Sequence, residues 1–149
     1  MEGFDHILDW TLKQGSHQFP GPDGGTCINE AAVVAAGFEY KPIRRAEDMP
    51  SCFSRPICHF AMWLNDHATE AERQRLLPFV TRLACADTPE IERQREAYIR
   101  ARLPAAYVMM RFMSIEKGIE ILEGALAIGR QAEPLAPEVA RSRLDAVRG

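Results

Sequence analysis

The polar residues that could carry chemistry begin in a glycine- and proline-rich loop, GSHQFPGPDGGT, and in the apolar segment CINEAAVVAA that follows it. Backbone N–H groups at a helix start, together with the positive end of the helix dipole, can hold an anion. A carboxylate in an otherwise apolar helix must be paired or hydrogen-bonded, or it can serve as a general base or a ligand. This junction therefore supplies four candidates for a polar pocket: His17, Asp23, Asn29 and Glu30.

Each of these features also has a structural explanation. Asp23, Gly24 and Gly25 are typical of a tight turn, and the loop lacks the spacing of a nucleotide-binding P-loop. Glu30 can be a structural carboxylate that its own helix dipole favours or that an arginine neutralises, and Arg55 is the partner that we predict. Both explanations stay open from the sequence.

A second group of candidates lies on one stripe of the third predicted helix. Arg55, His59 and Asp66 are separated by four and then seven residues, a spacing that places all three on one narrow face. A guanidinium, an imidazole and a carboxylate on one face can form a site together with the loop. An exposed polar face of a core helix has the same pattern, and a residue such as Asp66 near a helix end often only caps or turns the chain.

Metal, cofactor and covalent chemistry find little support in the sequence. Cys52, Cys58 and His59 lack the spacing of structural zinc sites, and no two histidines stand four residues apart, so we expect no metal. Hydrolase signatures such as G-x-S-x-G and H-E-x-x-H do not occur, and no cofactor is predicted. Cys27, near a helix start, is either a thiol of lowered pKa or a buried, inert one.

The elements that position these residues are predicted to be helices, because apolar residues recur with helical spacing and no segment alternates like a strand. We expect a single all-α domain over residues 1–149, a compact bundle of five to seven helices. A core unit should cover about 1–86, and a helical extension about 88–149. The two most apolar helices, 27–36 and 54–66, should lie at the centre. The other predicted helices span 4–13, 69–83, 88–103, 105–128 and 137–147.

Capping residues mark several of the predicted helix ends. Thr26 is predicted as the N-cap of the second helix, and Gly37 as the residue that ends it. Thr69 and Thr88 should begin the fourth and fifth helices. Pro78 predicts a kink inside the fourth helix.

The predicted helix 105–128 has the most regular apolar pattern. Its apolar residues recur at alternating intervals of three and four, which is an a/d seam of the kind that joins two helices. Neighbouring methionines add a second, adaptable stripe. The seam can belong to the core of the chain itself, to a homodimer, or to a groove for another protein. As a candidate interface it comprises Val108, Met109, Phe112, Met113, Ile115, Ile119, Leu122 and Leu126.

Composition and charge exclude several classes of protein. The chain is 46% hydrophobic and 26% charged, with a net charge of -3, which is ordinary for a globular domain and gives no bulk attraction for nucleic acid. Arg93, Arg95, Arg100 and Arg102 are interleaved with glutamates, so we interpret this cluster as an ion-paired, solvated surface. The sequence therefore predicts no nucleic-acid partner.

The ends and apolar stretches of the sequence predict a compartment. The N-terminus MEGFDHILDW lacks the basic and then apolar pattern of a secretory signal. No stretch reaches the roughly 18 apolar residues that a membrane span requires. We therefore expect a soluble cytoplasmic protein with no membrane partner, whose four cysteines are free thiols.

Four strings of the sequence, PDGGTCINEAAVVAAGFEY, CFSRPI, LND and RQRLLPFVTRLA, resemble motifs shared by a group of small uncharacterised bacterial proteins. The resemblance covers roughly residues 14–86 and is specific as a set, whereas the C-terminal helices are less typical of the group. It implies no activity and gives no residue a catalytic role. It implies only that the 23–30 junction, the 52–56 turn and the 65–66 helix end belong to one structural unit.

Two hypotheses about function follow. The first, which the sequence favours, is a small helical binding or interaction protein, dimeric and without catalysis, that acts as an adaptor, regulator or inhibitor of another protein. It rests on the missing catalytic signatures and on the long predicted seam. The alternative is a small enzyme or ligand-binding domain in which Glu30 acts as base or ligand. Arg55 and Asp23 would then orient an anionic substrate, and the other candidates would assist.

Overall fold

The computed structural model describes residues 10–16, 25–104, 110 and 112–147. Over these residues the chain forms six α-helices and two 3₁₀ helices and no β-strand, which confirms the predicted all-α bundle. None of the described helices combines the length and the hydropathy needed to cross a bilayer. In chain order the α-helices are α1 (Ile28–Ala35), α2 (Arg55–His67), α3 (Glu70–Arg73), α4 (Pro89–Arg102), α5 (Ile115–Leu126) and α6 (Pro137–Val147), and the 3₁₀ helices are Ala46–Asp48 and Gln74–Phe79.

Helix α1 lies at the centre of the molecule, as predicted. All eight of its residues are buried, because most of its side chains are small and apolar and both α2 and α6 pack against it. Gly37, with a φ of 98°, follows its C-cap and ends the helix. The N-cap is Cys27 and not the predicted Thr26, since Cys27 Sγ accepts the Glu30 amide at 3.4 Å. The Thr26 hydroxyl instead accepts the indole N–H of Trp10 at 2.9 Å.

Helix α2 is the second central helix of the bundle, as the sequence predicts. Ser54 is its N-cap residue, and its buried apolar side chains pack against α1, α4 and α5. Gly118 of α5 lies so close to Leu64 of α2 that a Cβ at position 118 would overlap the leucine side chain. This glycine therefore lets α5 lie directly on α2.

Helix α3 begins with the predicted capping box, in which Thr69 Oγ1 accepts the Glu72 amide at 3.2 Å. The prediction that this helix continues to residue 83 is wrong. From Gln74 the chain tightens into the 3₁₀ helix Gln74–Phe79, which contains Pro78. Proline lacks the N–H that an α-helix requires and its ring crowds the carbonyl four residues earlier, so the α-helix cannot continue through it.

The predicted helix 105–128 is not continuous. Helix α5 begins only at Ile115, where Ser114 is the N-cap and its hydroxyl accepts the Lys117 amide at 3.1 Å. Met113 and Ser114 are not helical. A serine at this position accepts a free amide of the helix that follows it, which explains why α5 begins here. The predicted interface residues Val108 and Met109 lie outside the described residues.

The described part of the predicted seam belongs to the core of the chain itself. Three of its residues are at most 6% exposed and pack into the central cluster, so their assignment to an interface between chains is wrong. They are Ile115, Leu122 and Leu126. Met113 and Ile119 are half-buried against the same cluster. Phe112 is the exception, with 66% of its surface exposed.

The predicted first helix, 4–13, lies outside the described residues except for its end, and there the prediction is wrong. Residues 10–13 are not helical, and Leu12 pairs with Thr26 in an isolated parallel bridge. The Leu12 amide and carbonyl both bond to the side-chain amide of Gln74, each at 2.9 Å. These partners from distant segments replace the hydrogen bonds of a helix. At the other end of the chain, α6 (Pro137–Val147) has the predicted bounds.

Candidate functional site

The structure distributes the seven predicted pocket residues over separate places. Asn29 and Glu30 are fully buried at the start of α1. Arg55 and His59 are exposed on α2 and line one cavity, whereas Asp66 lines another. His17 and Asp23 lie outside the described residues. The single pocket that the sequence predicts is therefore not formed by the five described candidates.

The carboxylate of Glu30 is held by the protein itself. Its Oε1 accepts the Cys27 amide at 3.1 Å, and its Oε2 accepts the Ile43 amide at 2.9 Å. The hydroxyl of Tyr40 also bonds to it, and burial together with the nearby Glu30 carboxylate raises the pKa of this tyrosine well above its usual value. The predicted pairing with Arg55 is wrong, because Arg55 bonds elsewhere. The structural explanation of Glu30 is the one that the geometry supports.

Two amides at the start of α1, where the anion-site hypothesis needs free donors, are already bonded within the protein. The Ile28 amide donates to Asn65 Oδ1 at 3.1 Å, and the Glu30 amide donates to Cys27 Sγ. The adjacent Glu30 carboxylate adds a negative charge that repels an anion. Burial raises the pKa of Cys27, with the Glu30 carboxylate as the second cause, so this cysteine is the buried, inert thiol of the two alternatives.

Asn29 is the one described side chain with a buried polar atom that lacks a partner. Its Nδ2 donates to the Cys58 carbonyl at 3.1 Å, while its Oδ1 has no hydrogen-bond donor within reach. The side chain joins α1 to α2 in the core and is not among the lining residues of the cavities described below. It therefore acts as a bridge between central helices.

Asp66 is separated from Arg55 and His59 by the length of α2. His59 and Asp66 are seven positions apart, which corresponds to about 10 Å of helix, so a shared face does not bring them into one site. Asp66 Oδ1 accepts the Gly15 amide at 2.9 Å. Asp66 lines a cavity of about 280 Å³ with Gly15, Ser16, Cys27, Ile43, Arg44 and Met62.

A cavity of about 780 Å³ lies between α2 and α4, and we call it the α2–α4 cavity. Part of its lining is apolar and includes the parallel rings of Phe60 and Trp63, whose centroids are 6.4 Å apart. Charged and polar side chains from both helices complete the lining. The lining residues are Glu47, Arg55, Pro56, His59, Phe60, Trp63, Glu96, Ile99, Arg100, Leu103 and Met110.

Two backbone carbonyls fix the guanidinium of Arg55 at this cavity. Its Nη1 donates to the Glu47 carbonyl at 3.1 Å and its Nη2 to the Met49 carbonyl at 3.4 Å. No carboxylate of the described residues forms an ion pair with it. His59 lies one turn further along α2 and is exposed on the same cavity. The α2 side of the cavity thus carries a positioned cation that forms no ion pair with a carboxylate of the described residues.

On the α4 side, Arg100 differs from Arg55 because it is paired. Its Nη2 donates to Glu96 Oε1 at 3.0 Å, and both side chains are more than half exposed. Arg93 pairs with Glu90 at 2.8 Å in the same manner. For these two arginines the interpretation as an ion-paired, solvated surface is confirmed.

For Arg95 that interpretation is wrong, since its side chain is fully buried. Its guanidinium donates to the carbonyls of Cys85, Ile128 and Arg130, each within 2.9 Å, and to Glu92 Oε1 at 3.1 Å. The buried group therefore ties α4 to the segments before it and after α5. Helical spacing could have found it, because Arg95 lies four residues before the buried Ile99 on the same face of α4.

A third cavity, of about 340 Å³, lies near the end of α1 and includes Cys52, Phe53, Leu135 and Arg143 in its lining. Cys52 is half-buried, whereas the other three cysteines are buried, and all four are free. Over the described residues, no three side chains of the metal-binding types come close enough together to hold an ion.

Comparison with known proteins adds no assignment to these cavities. No protein-family model matches the chain, and neither the curated proteins nor the solved structures contain a significant match to it.

Proposed function

We propose that this protein binds a small amphipathic molecule in the α2–α4 cavity. The observation that carries the proposal is the composition of that cavity, in which aromatic and aliphatic side chains lie beside a positioned arginine and an exposed histidine. Its volume of about 780 Å³ is in the usual range for small-molecule sites. Apolar walls with a few placed polar groups are also typical of such sites.

This proposal develops the ligand-binding alternative from the sequence, but it places the ligand in the α2–α4 cavity and not at the start of α1. Arg55 and His59 stay in the site, and Glu96, Arg100 and the aromatic pair Phe60 and Trp63 join them. Glu30 is not part of it, because its carboxylate bonds to backbone amides in the core. We include a cytoplasmic location in the proposal, where the four free thiols would stay reduced.

Binding is tested with the fluorescent probe 8-anilinonaphthalene-1-sulfonate, whose emission rises in an apolar site. We expect saturable binding to the wild-type chain, and loss of that binding when Leu103→Arg places a charge in the α2–α4 cavity. Leu135→Arg is the matched control, because this leucine is also half-buried but lines the separate cavity of about 340 Å³. Absence of saturable binding, or equal loss in both variants, would contradict the proposal.

A role in binding another copy or another protein is the second proposal, and the exposure of Phe112 favours it. This phenylalanine is 66% exposed, which is high for a large apolar side chain. A homodimer through this residue predicts a mass that rises with concentration in light scattering and returns to the monomer value in Phe112→Ser. A strictly monomeric wild-type protein at tens of micromolar would count against it.

A further inference from the structure

We infer that the α2–α4 cavity selects ligands that carry an anionic group, a carboxylate or a phosphate, and that Arg55 is the residue that recognises it. The inference rests on the proposed function, because it names the chemistry of the molecule that the cavity would hold. Its starting point is the difference between the two arginines of the cavity lining. Arg55 lacks a carboxylate partner among the described residues, whereas Arg100 has Glu96 at 3.0 Å.

The two backbone bonds of Arg55 position its guanidinium without neutralising it. Carbonyl oxygens of Glu47 and Met49 accept two of its five N–H groups. The remaining three have no partner among the described residues, and a guanidinium matches the geometry of a carboxylate or phosphate with two parallel hydrogen bonds. Two hydrogen bonds already hold the side chain. Binding a ligand therefore costs less side-chain entropy than it would with a mobile arginine.

His59 adds a second donor on the same side of the cavity. It follows Arg55 by one helical turn, so both side chains stand above the same part of α2. The apolar residues Phe60 and Trp63, which also line the cavity, follow His59 along α2. A molecule with an anionic end and an apolar body can therefore place its charge at Arg55 and its body on the two rings.

Two carboxylates of the lining, Glu47 and Glu96, should weaken the binding of an anion, and this effect can be tested. Glu96 forms an ion pair with Arg100. Glu47 is exposed, and no cation of the described residues forms an ion pair with the Glu47 side chain. Its charge lowers the affinity for an anion at Arg55. Removal of that charge should therefore strengthen the binding of an anionic ligand, in the opposite direction to removal of Arg55.

The experiment uses two probes that differ only in charge. 8-Anilinonaphthalene-1-sulfonate carries a sulfonate, and N-phenyl-1-naphthylamine is the same ring system without it. We expect Arg55→Gln to weaken the sulfonate probe about tenfold, the effect of one charge-assisted hydrogen bond, and to leave the neutral probe within twofold. Arg55→Lys should recover part of the loss, Glu47→Gln should strengthen the sulfonate probe, and Arg93→Gln, outside the cavity, should change neither.

Displacement of the probes then distinguishes the natural anion. Decanoate, decyl phosphate and decanol have one apolar chain and differ in the head group, so preferential displacement by the acid or the phosphate identifies which anion is recognised. If Arg55→Gln leaves both probes unchanged or weakens both equally, the inference is overturned while the proposed function stands. If neither probe binds the wild-type chain, the proposed function itself fails. Circular dichroism of each variant confirms that the helices are retained.

Discussion

The Glu30 carboxylate accepts the backbone amide of Ile43 at 2.9 Å, and this bond ties the central helix α1 to the loop that follows it. The same loop continues through the 3₁₀ helix Ala46–Asp48 to the carbonyls of Glu47 and Met49, which hold Arg55. A carboxylate in the core therefore anchors the segment that positions the cation of the candidate site. Glu30 and Arg55, which the sequence predicts as direct partners, are thus linked through this loop and not by an ion pair.

Glu30 should matter for stability because two buried amides depend on it. In Glu30→Gln one of these amides faces an NH₂ group in place of an oxygen, and we expect a loss of about 1–3 kcal/mol in the free energy of unfolding. In Glu30→Ala both amides lose their acceptor, and the loss should be about 3 kcal/mol or more. Urea denaturation measures both values. A neutral or stabilising effect would show that the carboxylate is retained for function and not for structure.

Among the arginines of α4, Arg95 should contribute most to the free energy of unfolding. Arg95→Met leaves three carbonyls without their donor and Glu92 without its buried partner, so we expect a loss of about 3–5 kcal/mol. Arg93→Met is the matched control, since Arg93 forms an exposed ion pair on the same helix and should change stability by about 0.5 kcal/mol or less. Equal effects of the two substitutions in chemical denaturation would contradict the structural role of Arg95.

Gly118→Ala should destabilise the protein, although alanine is the better helix former. The added Cβ would overlap Leu64, which is buried and has little room to move. Overpacking of about 1–3 kcal/mol should outweigh the gain of about 1 kcal/mol in helix propensity. Gly124→Ala should also be destabilising, because its Cβ would overlap the ring of Tyr98, which packs against the core and lies under the Arg102 guanidinium. Thermal unfolding compares the two, and a stabilised Gly118→Ala would contradict the close contact of α5 with α2.

The buried thiols predict a loss of stability in alkaline solution. Burial raises the pKa of Cys27, Cys58 and Cys85 in the folded state, so the folded chain binds these protons more tightly than the unfolded chain does. Their contribution is complete below the unfolded pKa of about 8.5 and is lost as pH rises toward the folded values. Each thiol can contribute up to about 1.4 kcal/mol per pH unit to the decline.

Urea denaturation at a series of pH values from 7 to 10 measures this decline. Cys58→Ala should make this decline shallower, because it removes one of the three buried thiols whose pKa is raised. An equal slope in the wild-type chain and Cys58→Ala would refute the assignment.

Much of the fold could be predicted from the sequence because its signals are local. The threonines at positions 69 and 88 begin helices where the capping rules place them, and α6 has the predicted bounds. Capping bonds and helical periodicity act over three or four residues, so the residue types alone reveal them. The same locality explains the error at Ser114, where a capping residue interrupts an apolar pattern that continues across it.

The candidate site, in contrast, was decided by contacts between distant residues. Arg95 bonds to Ile128, 33 positions away, and the α2–α4 cavity is lined by two helices that lie apart in sequence and pack together in the bundle. Helical spacing can show that a charged side chain lies on a buried face, but it does not show which carbonyls of other segments will satisfy it. By itself the sequence determined where most helices form and that they bury α1. Only the tertiary structure decided which charges are enclosed and which face a cavity, because that depends on the partners that packing brings to them.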